Sequence, residues 1–557
     1  MTHLDEIAQL KALIEKQQKQ LEENQHELKN QAEELSKKDD IIKRQQLQID
    51  AMIQALLHAQ KKRFGRSSES SNGWEGQHNL FEDYQDLAAE LLKEQTKITV
   101  PAHTRTPRQP GVRAEMLAYL PKEIEEYVIE EDDTCSICNG KLKVIGKEIV
   151  RTEVDFIPAK LIVKQIVRQV GKCTVCGTKE SDNPKDHFQK ASVPSKLLSH
   201  SIATASLVSQ VMYQKFCMGV PFNRQERDYH RMGLILPRAS MAHWTIRCSD
   251  EWLLPIYDLM HKKLCECEML HMDETRIQVN KEKNRKPSTN SFMWVMQSGM
   301  SEDIKATYFH YSPTRNTQIA KMLLEDFHGY LTTDAYSVYQ CLEGVKNNLC
   351  WAHVRRYYVE SIPLDSKGKE IPGSKGAEGR GYIDLLFDLE RKIKDLPYDE
   401  KKIKRQESAR AILDAFWTWV EETSAKYTTN EKLTTALNYS TNQRRYLETF
   451  LEDGRLEISN NLCESHIKPF ATARRAWLFA DTPNGARANA IMYTLVESAR
   501  ANDLNVYEYL KYLLLEMPNI DFHNHHELLE AYLPWSDALP EECKLTQVNK
   551  KSSKSGL

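Results

Sequence analysis

The feature that most constrains this chain is a seven-residue repeat of branched apolar residues in its first 56 positions. The repeat consists of Ile7, Ile14, Leu21, Leu28, Leu35, Ile42, Ile49 and Leu56, with no Pro or Gly among them. An unbroken spacing of seven predicts a coiled-coil helix with an apolar seam. The second seam is weak, because residues such as Gln17, Asn24 and Gln31 occupy it. We therefore expect a modest self-association helix, the alternative being a long solvated single helix.

A short basic segment follows the repeat directly. Its members are Lys61, Lys62, Arg63 and Arg66, and no acid occurs before Glu69. Basic residues at the end of a dimerising helix suit contacts with phosphates, although a solvated charge run is the alternative. The formal net charge of the chain is only -3, which excludes binding of nucleic acid through bulk charge and leaves local patches of this kind. A polar linker with Pro101, Pro107 and Pro110 then predicts a boundary near residue 110.

Two cysteine pairs predict a metal site. The chain has 12 cysteines in 557 residues, too few for a disulfide scaffold. Four of them form the pairs Cys135-x-x-Cys138 and Cys173-x-x-Cys176, and the segment between the pairs is rich in β-formers. Each pair can bind one side of a tetrahedral ion, so we expect one structural zinc with a closed coordination shell. Chance pairs or a redox pair are the alternatives.

Two helices with a tight turn are predicted further on. The segment from Val220 to Cys248 contains Gly233 and Pro237 at the expected turn, which is typical of a helix-turn-helix. Its recognition helix would span Ala239 to Arg247, but many helical hairpins bind no nucleic acid. The chain has no run of eighteen apolar residues and no signal-peptide pattern at its start, so we expect a soluble, intracellular protein.

The central region carries aspartates on predicted strands. Residues 268–279, 290–299 and 304–313 are three β-like segments, followed by a helix, a strand that ends near Asp334, a short helix and a last strand. The order β-β-β-α-β-α-β is that of a ribonuclease H-like fold, in which the first and fourth strands are adjacent. Asp273 on the first strand and Asp334 on the fourth would therefore meet.

Two adjacent carboxylates repel each other unless a cation lies between them, and hard divalent ions such as Mg²⁺ or Mn²⁺ prefer oxygen ligands. A third ligand should come from a downstream helix, and Glu464 is the candidate. It is the only acid in residues 459–479, whose other charged or titratable residues are His466, Lys468, Arg474 and Arg475. A local alternative is a capping box, in which Asn461 caps the helix and Glu464 also pairs with Lys468.

The interval between Asp334 and Glu464 is longer than this fold requires. It contains the Gly-rich stretch 365–382 and helical patterns at 383–396 and 407–422, which predict an inserted helical region. We expect this insertion to position DNA, and an inert packing module is the alternative.

Four segments together carry a resemblance. "HMDETRIQV", "YLTTDAYSVY", "CWAHVRRYY" and "SNNLCESHIKPFATARRAWLF" resemble, in this order, the DDE transposases of the insertion sequence 66 family. The resemblance extends to "RFGRSSE" after the repeat, to the four-cysteine segment and to "YLPW" at 532–535. It implies that Asp273, Asp334 and Glu464 are the catalytic acids. Glu274 would point to the opposite face of its strand and is not expected to be a ligand.

The resemblance also implies a reaction and its partners. Two Mg²⁺ (or Mn²⁺) ions per active site would serve phosphoryl transfer on double-stranded DNA, first at the transposon ends and then at the target. Further partners would be a second copy, as a dimer through the coiled coil, and small accessory proteins of the same element. We expect a bacterial cytoplasmic, nucleoid-associated protein with no membrane contact. The expected DNA contacts are Lys61, Lys62, Arg63, Arg66, Arg355, Arg356, Lys468, Arg474 and Arg475.

His353 follows the last predicted strand and is expected to support catalysis, with a buried hydrogen-bonded histidine as the alternative. The rival functions are a non-catalytic DNA-binding regulator or decayed transposase, and a nuclease of the same fold that cuts but does not join.

The expected fold class is multidomain α+β. It combines an N-terminal coiled coil, a small zinc-binding β-rich domain, a helix-turn-helix-like region and a ribonuclease H-like α/β catalytic domain with a helical insertion. The predicted boundaries are a coiled coil at 1–62, a basic segment and linker at 63–115, the zinc-binding domain at 116–190, the helix-turn-helix-like region at 191–262, the first part of the catalytic core at 263–362, the insertion at 363–455, the last part of the core at 456–515 and a C-terminal segment at 516–557.

Overall fold

A computed structural model describes residues 159–172, 188–426 and 430–545, together with isolated residues before position 150. The chain divides into two compact units. We call residues 1–72 and 254–498 the sheet unit, and residues 73–253 and 499–557 the helical unit. Each unit is described by itself.

The described positions of the heptad repeat are helical. Every described residue between 20 and 57 is in a helix. The seam residues Leu35, Ile42 and Ile49 are 62%, 60% and 49% exposed. The apolar seam is therefore open to solvent in the single chain at these positions. Lys61, Lys62, Arg63 and Arg66 lie outside the described residues.

Among its described residues, the helical unit has first a small strand pair and then three helices. These elements are β1 (Val170–Lys172), β2 (Phe188–Lys190), α1 (Ala205–Phe216), α2 (Phe222–Arg231) and α3 (Arg238–Cys248). β1 and β2 pair antiparallel. Residues 159–169, predicted to be β-rich, form no strand, so regular pairing in the described part of this segment begins only at Val170. The four predicted zinc ligands lie outside the described residues.

The predicted helix-turn-helix has the expected local structure. α2 and α3 are joined by a turn in which Gly233 has φ 88°, a conformation that suits glycine because it has no Cβ. The buried amide of Gln225 donates hydrogen bonds to the carbonyl oxygens of Val211 (3.2 Å) and Val220 (2.9 Å). This side chain ties α2 to α1.

The sheet unit contains five strands, which are β3 (Met269–Gln278), β4 (Asn290–Ser298), β5 (Thr307–Ser312), β6 (Tyr330–Thr333) and β7 (Lys346–Leu349). Its helices are α4 (Leu254–Cys265), α5 (Thr317–Leu323), α6 (Ser337–Gln340), α7 (Trp351–Ser361), α8 (Lys375–Lys392), α9 (Tyr398–Lys404), α10 (Arg410–Ser424), α11 (Glu431–Leu447), α12 (Asn461–Trp477) and α13 (Pro483–Ala501), the last of which extends beyond the unit. A π-helical turn, Arg405–Ala409, joins α9 to α10.

The strands form one sheet in the order β5-β4-β3-β6-β7. β3, β4 and β5 are antiparallel neighbours, whereas β6 runs parallel to both β3 and β7. The first and fourth strands of the predicted order are therefore adjacent, as the sequence predicts. Gly329 precedes β6 at a position where a Cβ would collide with the carbonyl oxygen of Glu268. Glycine at this position allows β6 to lie against β3.

The predicted insertion forms helices α8 to α11 and shares a core with the end of the sheet. Trp351 and Tyr358 of α7 pack in one buried cluster with Phe416, Trp417 and Trp419 of α10. Aromatic side chains bury a large area each, so this cluster fixes the insertion firmly against α7. The insertion is thus an integral part of the sheet unit.

Helices also cover the sheet near β5. The backbone N–H of Phe309 donates to Thr494 Oγ1 of α13 at 2.8 Å, and Tyr257 of α4 donates to the carbonyl oxygen of Phe309 at 2.9 Å. In the part of the chain that the structure describes, no helix is both long and apolar enough to cross a membrane.

A further helix, α14 (Val506–Glu516), belongs to the helical unit and packs on α1. Tyr507 of α14 meets Tyr213 of α1 edge to face, with ring centroids 6.3 Å apart. This contact joins the two sequence-distant parts of the helical unit.

Candidate active site

Asp273 and Asp334 occupy equivalent positions on neighbouring strands. The parallel register pairs Met269 with Tyr330 and His271 with Thr332. Extending this register by two residues aligns Asp273 with Asp334, which directly follows β6. The structure thus brings together the two aspartates that the sequence analysis selected.

Glu464 lies one turn into α12, a helix that packs against β3 and β4. Its Oε1 is 3.9 Å from Nε2 of His353 on α7. The alternative of a capping box at Asn461 does not hold, because the N-cap residue is Asn460, and Asn461 is already the first helical residue. The side chain of Asn460 makes no cap hydrogen bond, so Glu464 is not explained by local capping.

The electrostatic environment of Asp273 is strongly anionic. Burial and then the neighbouring Glu274 carboxylate raise its pKa to about 8, with further contributions from Asp334 and Glu464, although the backbone N–H of Glu274 donates to it at 2.7 Å. Three nearby acids therefore disfavour the charged form of Asp273. A bound cation would relieve this repulsion.

The donor chemistry fits a hard divalent metal ion, since Asp273, Asp334 and Glu464 offer only carboxylate oxygens. In this structure the side chains do not form a complete coordination site. Among the described residues, no three acidic, histidine or cysteine side chains are close enough together to hold a metal ion. Asp334 and Glu464 are 30% and 26% exposed at their side chains, so solvent reaches both.

An arginine that the sequence analysis missed lies beside these acids. Arg315, in the loop before α5, forms ion pairs with Glu274 and with Asp334, the latter at 3.9 Å. Its guanidinium stacks on the Tyr336 ring, 3.8 Å from the centroid. Glu274 also accepts a hydrogen bond from the Tyr339 hydroxyl. Glu274 is therefore held by Arg315 and Tyr339.

A buried hydrogen-bond network connects β3 to the start of α12. His271 is 1% exposed; its Nδ1 is 3.0 Å from Asn460 Oδ1, and its Nε2 is 2.9 Å from Glu457 Oε2. Asn460 Nδ2 donates to the carbonyl oxygen of Met272 at 3.1 Å. The second Glu457 oxygen accepts from the backbone N–H of Met300 at 3.0 Å. We call His271, Glu457 and Asn460 the strand-helix clamp, and no local sequence pattern indicated it.

The predicted basic contacts have different surroundings. Lys468 and Arg475 are exposed on α12, whereas Arg474 is partly buried and donates to the carbonyl oxygen of Arg276. Arg355 of α7 donates to Asp384 at 2.6 Å, so its charge is partly neutralised within the protein. Arg356 is partly exposed on the same helix.

The predicted recognition helix lies within α3. Met241, Trp244 and Thr245 are buried, while Ala239 and His243 are exposed. α3 therefore has one face in the core and one face available to solvent.

The family described as "Transposase IS66 family" matches residues 200–488, which include β3 to β7, the insertion and all of α12. The chain belongs to the insertion sequence 66 transposase family. Two further descriptions of this family match outside that range. The "zinc-finger binding domain of transposase IS66" matches residues 132–177, and the "Transposase C of IS166 homeodomain" matches residues 53–124.

Two curated relatives of this family member are described as uncharacterized proteins. The uncharacterized proteins y4jD and y4qI of Sinorhizobium fredii are each 25% identical to the chain. The similarity to y4jD covers 76% of this chain and 82% of the relative, and that to y4qI covers 96% and 97%. The solved "Drosophila P element transposase strand transfer complex" is 14% identical and covers 64% of this chain and 92% of its own, but the TM-score of 0.21 supports no structural conclusion.

Proposed function

We propose that the chain is a DNA transposase in which Asp273, Asp334 and Glu464 form a catalytic DDE triad. The observation that carries this proposal is the parallel register between β3 and β6, which aligns Asp273 with Asp334 beside the helix of Glu464. The strand order β5-β4-β3-β6-β7 supports a ribonuclease H-like fold for the sheet unit.

The three carboxylates would hold two Mg²⁺ (or Mn²⁺) ions. When bound, such ions supply charge stabilisation for the attacking and leaving oxygens of an in-line displacement at phosphorus. Burial and then the neighbouring acids raise the pKa of Asp273, and a bound cation would offset the repulsion from those acids. The exposure of Asp334 and Glu464 leaves room for a phosphate.

The other residues of the site position DNA and the acids. Lys468 and Arg475 on α12 would contact backbone phosphates near the cleaved bond. Arg315 fixes Glu274 and lies beside Asp334, so it limits the positions that the Asp334 carboxylate can take. His353 lies against Glu464 and would orient its carboxylate.

The remaining parts of the chain would bind the terminal inverted repeats of the element. The basic segment Lys61, Lys62, Arg63 and Arg66, the zinc-finger domain and α3 are the proposed contributors. Cys135, Cys138, Cys173 and Cys176 would hold one structural zinc. The open seam at Leu35, Ile42 and Ile49 supports a dimer through the coiled coil.

The decisive experiment measures cleavage and joining on DNA that carries the terminal sequences flanking the gene. Glu464→Gln removes an anionic ligand and keeps the size of the side chain. We expect this variant to fold and bind the ends, while Mg²⁺-dependent cleavage and joining fall by orders of magnitude. Asp273→Asn and Asp334→Asn should behave in the same way.

A charge-matched control is Glu325→Gln, which changes an exposed acid of the same unit. It should retain wild-type rates. Near-normal joining by Glu464→Gln would remove this residue from the triad. A wild-type protein that cuts the ends and never joins them to a target would instead be a nuclease.

A further inference from the structure

The segment that follows α12 exposes two large apolar side chains. Leu478 is 64% exposed and Phe479 is 43% exposed. Both directly follow a helix whose last turn contains Arg474 and Arg475. We call Leu478 and Phe479 the apolar tip.

The backbone of the apolar tip is strained. Leu478 has φ 64° and ψ -50°, and the N–H of Phe479 donates to the carbonyl oxygen of Trp477 at 2.8 Å. This combination is a γ-turn with positive φ, a rare conformation for a residue with a branched side chain. Strain of this kind persists only where the surrounding structure enforces it, and it is concentrated at functional positions.

Two anchors enforce this turn. On one side, the N–H of Leu478 donates to the carbonyl oxygen of Arg474 at 2.7 Å. On the other side, Ala480 forms a parallel bridge with Val279, and its N–H donates to the carbonyl oxygen of Gln278 at 3.0 Å. The tip is therefore held between α12, which carries Glu464, and the end of β3, which carries Asp273.

Arginines lie close to the tip. Arg474 and Arg475 are in the last turn of α12, and Arg474 donates to the carbonyl oxygen of Arg276. Asp481, the acid nearest to the tip in sequence, is paired with Lys281. Arg276 and Arg475 are exposed. A concentration of arginines of this kind matches the phosphate backbone of DNA, and apolar side chains between phosphate contacts can enter a base step.

Leu478 follows Glu464 by 14 residues of α12, which is about 20 Å along the helix. We propose that the apolar tip inserts into the DNA duplex about 20 Å from the catalytic acids, roughly six base pairs from the cleaved phosphate, and unstacks a base step there. This inference rests on the proposed function, because the occupant is the end of the transposon. Leu and Phe are among the side chains that act as wedges between bases. A rigid turn suits this role, since a flexible loop would yield before the stacked bases do.

The test uses the full-length protein and a series of end DNAs, each with the fluorescent base 2-aminopurine at a different position within about one helical turn of the cleavage site. Wild-type protein, without divalent metal, should increase the fluorescence on binding because the base becomes unstacked. Phe479→Ala should bind the DNA but lose most of this increase. Leu478→Gly should do the same, and it keeps the turn because glycine accepts positive φ.

A rescue separates unstacking from simple misfolding. With Mg²⁺ present, Phe479→Ala should cleave fully paired ends about tenfold more slowly than wild type, and mismatched bases at the same step should restore the rate. Met322→Ala, a change at a 45% exposed apolar residue of α5, should match wild type on both substrates.

Three results would overturn the proposal. If both tip variants show the same fluorescence increase and the same cleavage rate as the wild-type protein, the tip does not enter DNA. If the tip variants lose self-association but still unstack the base, the partner of the apolar tip is a second copy of the chain. A wild-type protein that neither binds nor cleaves the ends would overturn the proposed function and, with it, the insertion of the apolar tip into DNA.

Discussion

His271 on β3 and Asn460 at the N-cap of α12 are joined by a buried side-chain hydrogen bond of 3.0 Å. Two residues after His271 comes Asp273, and four residues after Asn460 comes Glu464. The bond therefore connects the two elements that carry two of the three proposed catalytic acids. Glu457 completes this strand-helix clamp from the other side of the imidazole ring.

Asn460→Ala should impair catalysis more than DNA binding. The change leaves His271 Nδ1 and the Met272 carbonyl without their partner, which costs about 1–3 kcal/mol of folding stability. It also frees the start of α12, and a displacement of Glu464 of about 1 Å can slow the reaction about a hundredfold. The measurement is the cleavage rate at saturating end DNA, well below the unfolding temperature.

The matched control is Asn461→Ala, a change at an exposed residue one position further on. It should affect neither the saturated rate nor the DNA concentration that gives half of that rate. Equal behaviour of the two alanine variants would show that the clamp does not position Glu464.

The sequence predicts the framework of the site but not its supporting contacts. Asp273 and Asp334 could be identified because strand patterns are local, and the strand order then follows from the fold. The local capping alternative at Asn461 does not hold, because Asn460 is the N-cap residue and its side chain binds His271 and Met272 across the fold. Arg315 was missed for a similar reason. It lies in a loop far from Glu274 in sequence, and no local pattern encodes their ion pair.

The insertion shows the same difference between secondary structure that the sequence predicts and contacts that it does not. Apolar periodicity, which is a property of each segment alone, predicts helices at 383–396 and 407–422, and these correspond to α8 and α10. The sequence patterns did not identify α9 or α11. The attachment of the insertion to the rest of the unit does not follow from periodicity. Arg405 is only 1% exposed; it donates to the carbonyl oxygens of Phe450, Asp453 and Leu456 and pairs with Glu390. These contacts hold the segment that leads to the strand-helix clamp. A periodicity argument contains no information about them.

Removing one predicted zinc ligand should loosen the zinc-finger domain. Cys173→Ser leaves three thiolates, and metal binding supplies folding free energy in domains of this kind. We expect about one zinc per chain in the wild-type protein, less in the variant, and faster proteolysis between residues 130 and 190. Cys341→Ser, at an exposed cysteine of the sheet unit, is the control. Freshly purified, reduced protein without zinc would contradict this assignment.

Neutralising the basic segment should weaken DNA binding in a salt-dependent manner. Replacing Lys61, Lys62, Arg63 and Arg66 by Ala removes four positive charges, and each lost phosphate contact reduces the slope of log K against log salt by about 0.9. The measurement is end-DNA affinity over a series of salt concentrations. A control with four alanines at Lys16, Lys29, Lys37 and Lys43 removes the same charge outside the apolar seam of the repeat. If both variants show the wild-type slope, the basic segment does not contact phosphates.

Asp273→Asn should stabilise the metal-free protein while abolishing its activity. Asp273 is disfavoured as an anion by burial and by Glu274, Asp334 and Glu464, and asparagine removes this repulsion while it can still accept the hydrogen bond from the Glu274 N–H. We expect a gain of about 1 kcal/mol, or roughly 2–4 °C in Tm. Mg²⁺ should raise the Tm of the wild-type protein, because a ligand of the folded state stabilises it, and should raise that of Asp273→Asn much less. Thermal unfolding with and without Mg²⁺ measures both effects. An equal Mg²⁺ response in the two proteins would mean that Asp273 does not hold the metal, whatever its importance for the rate.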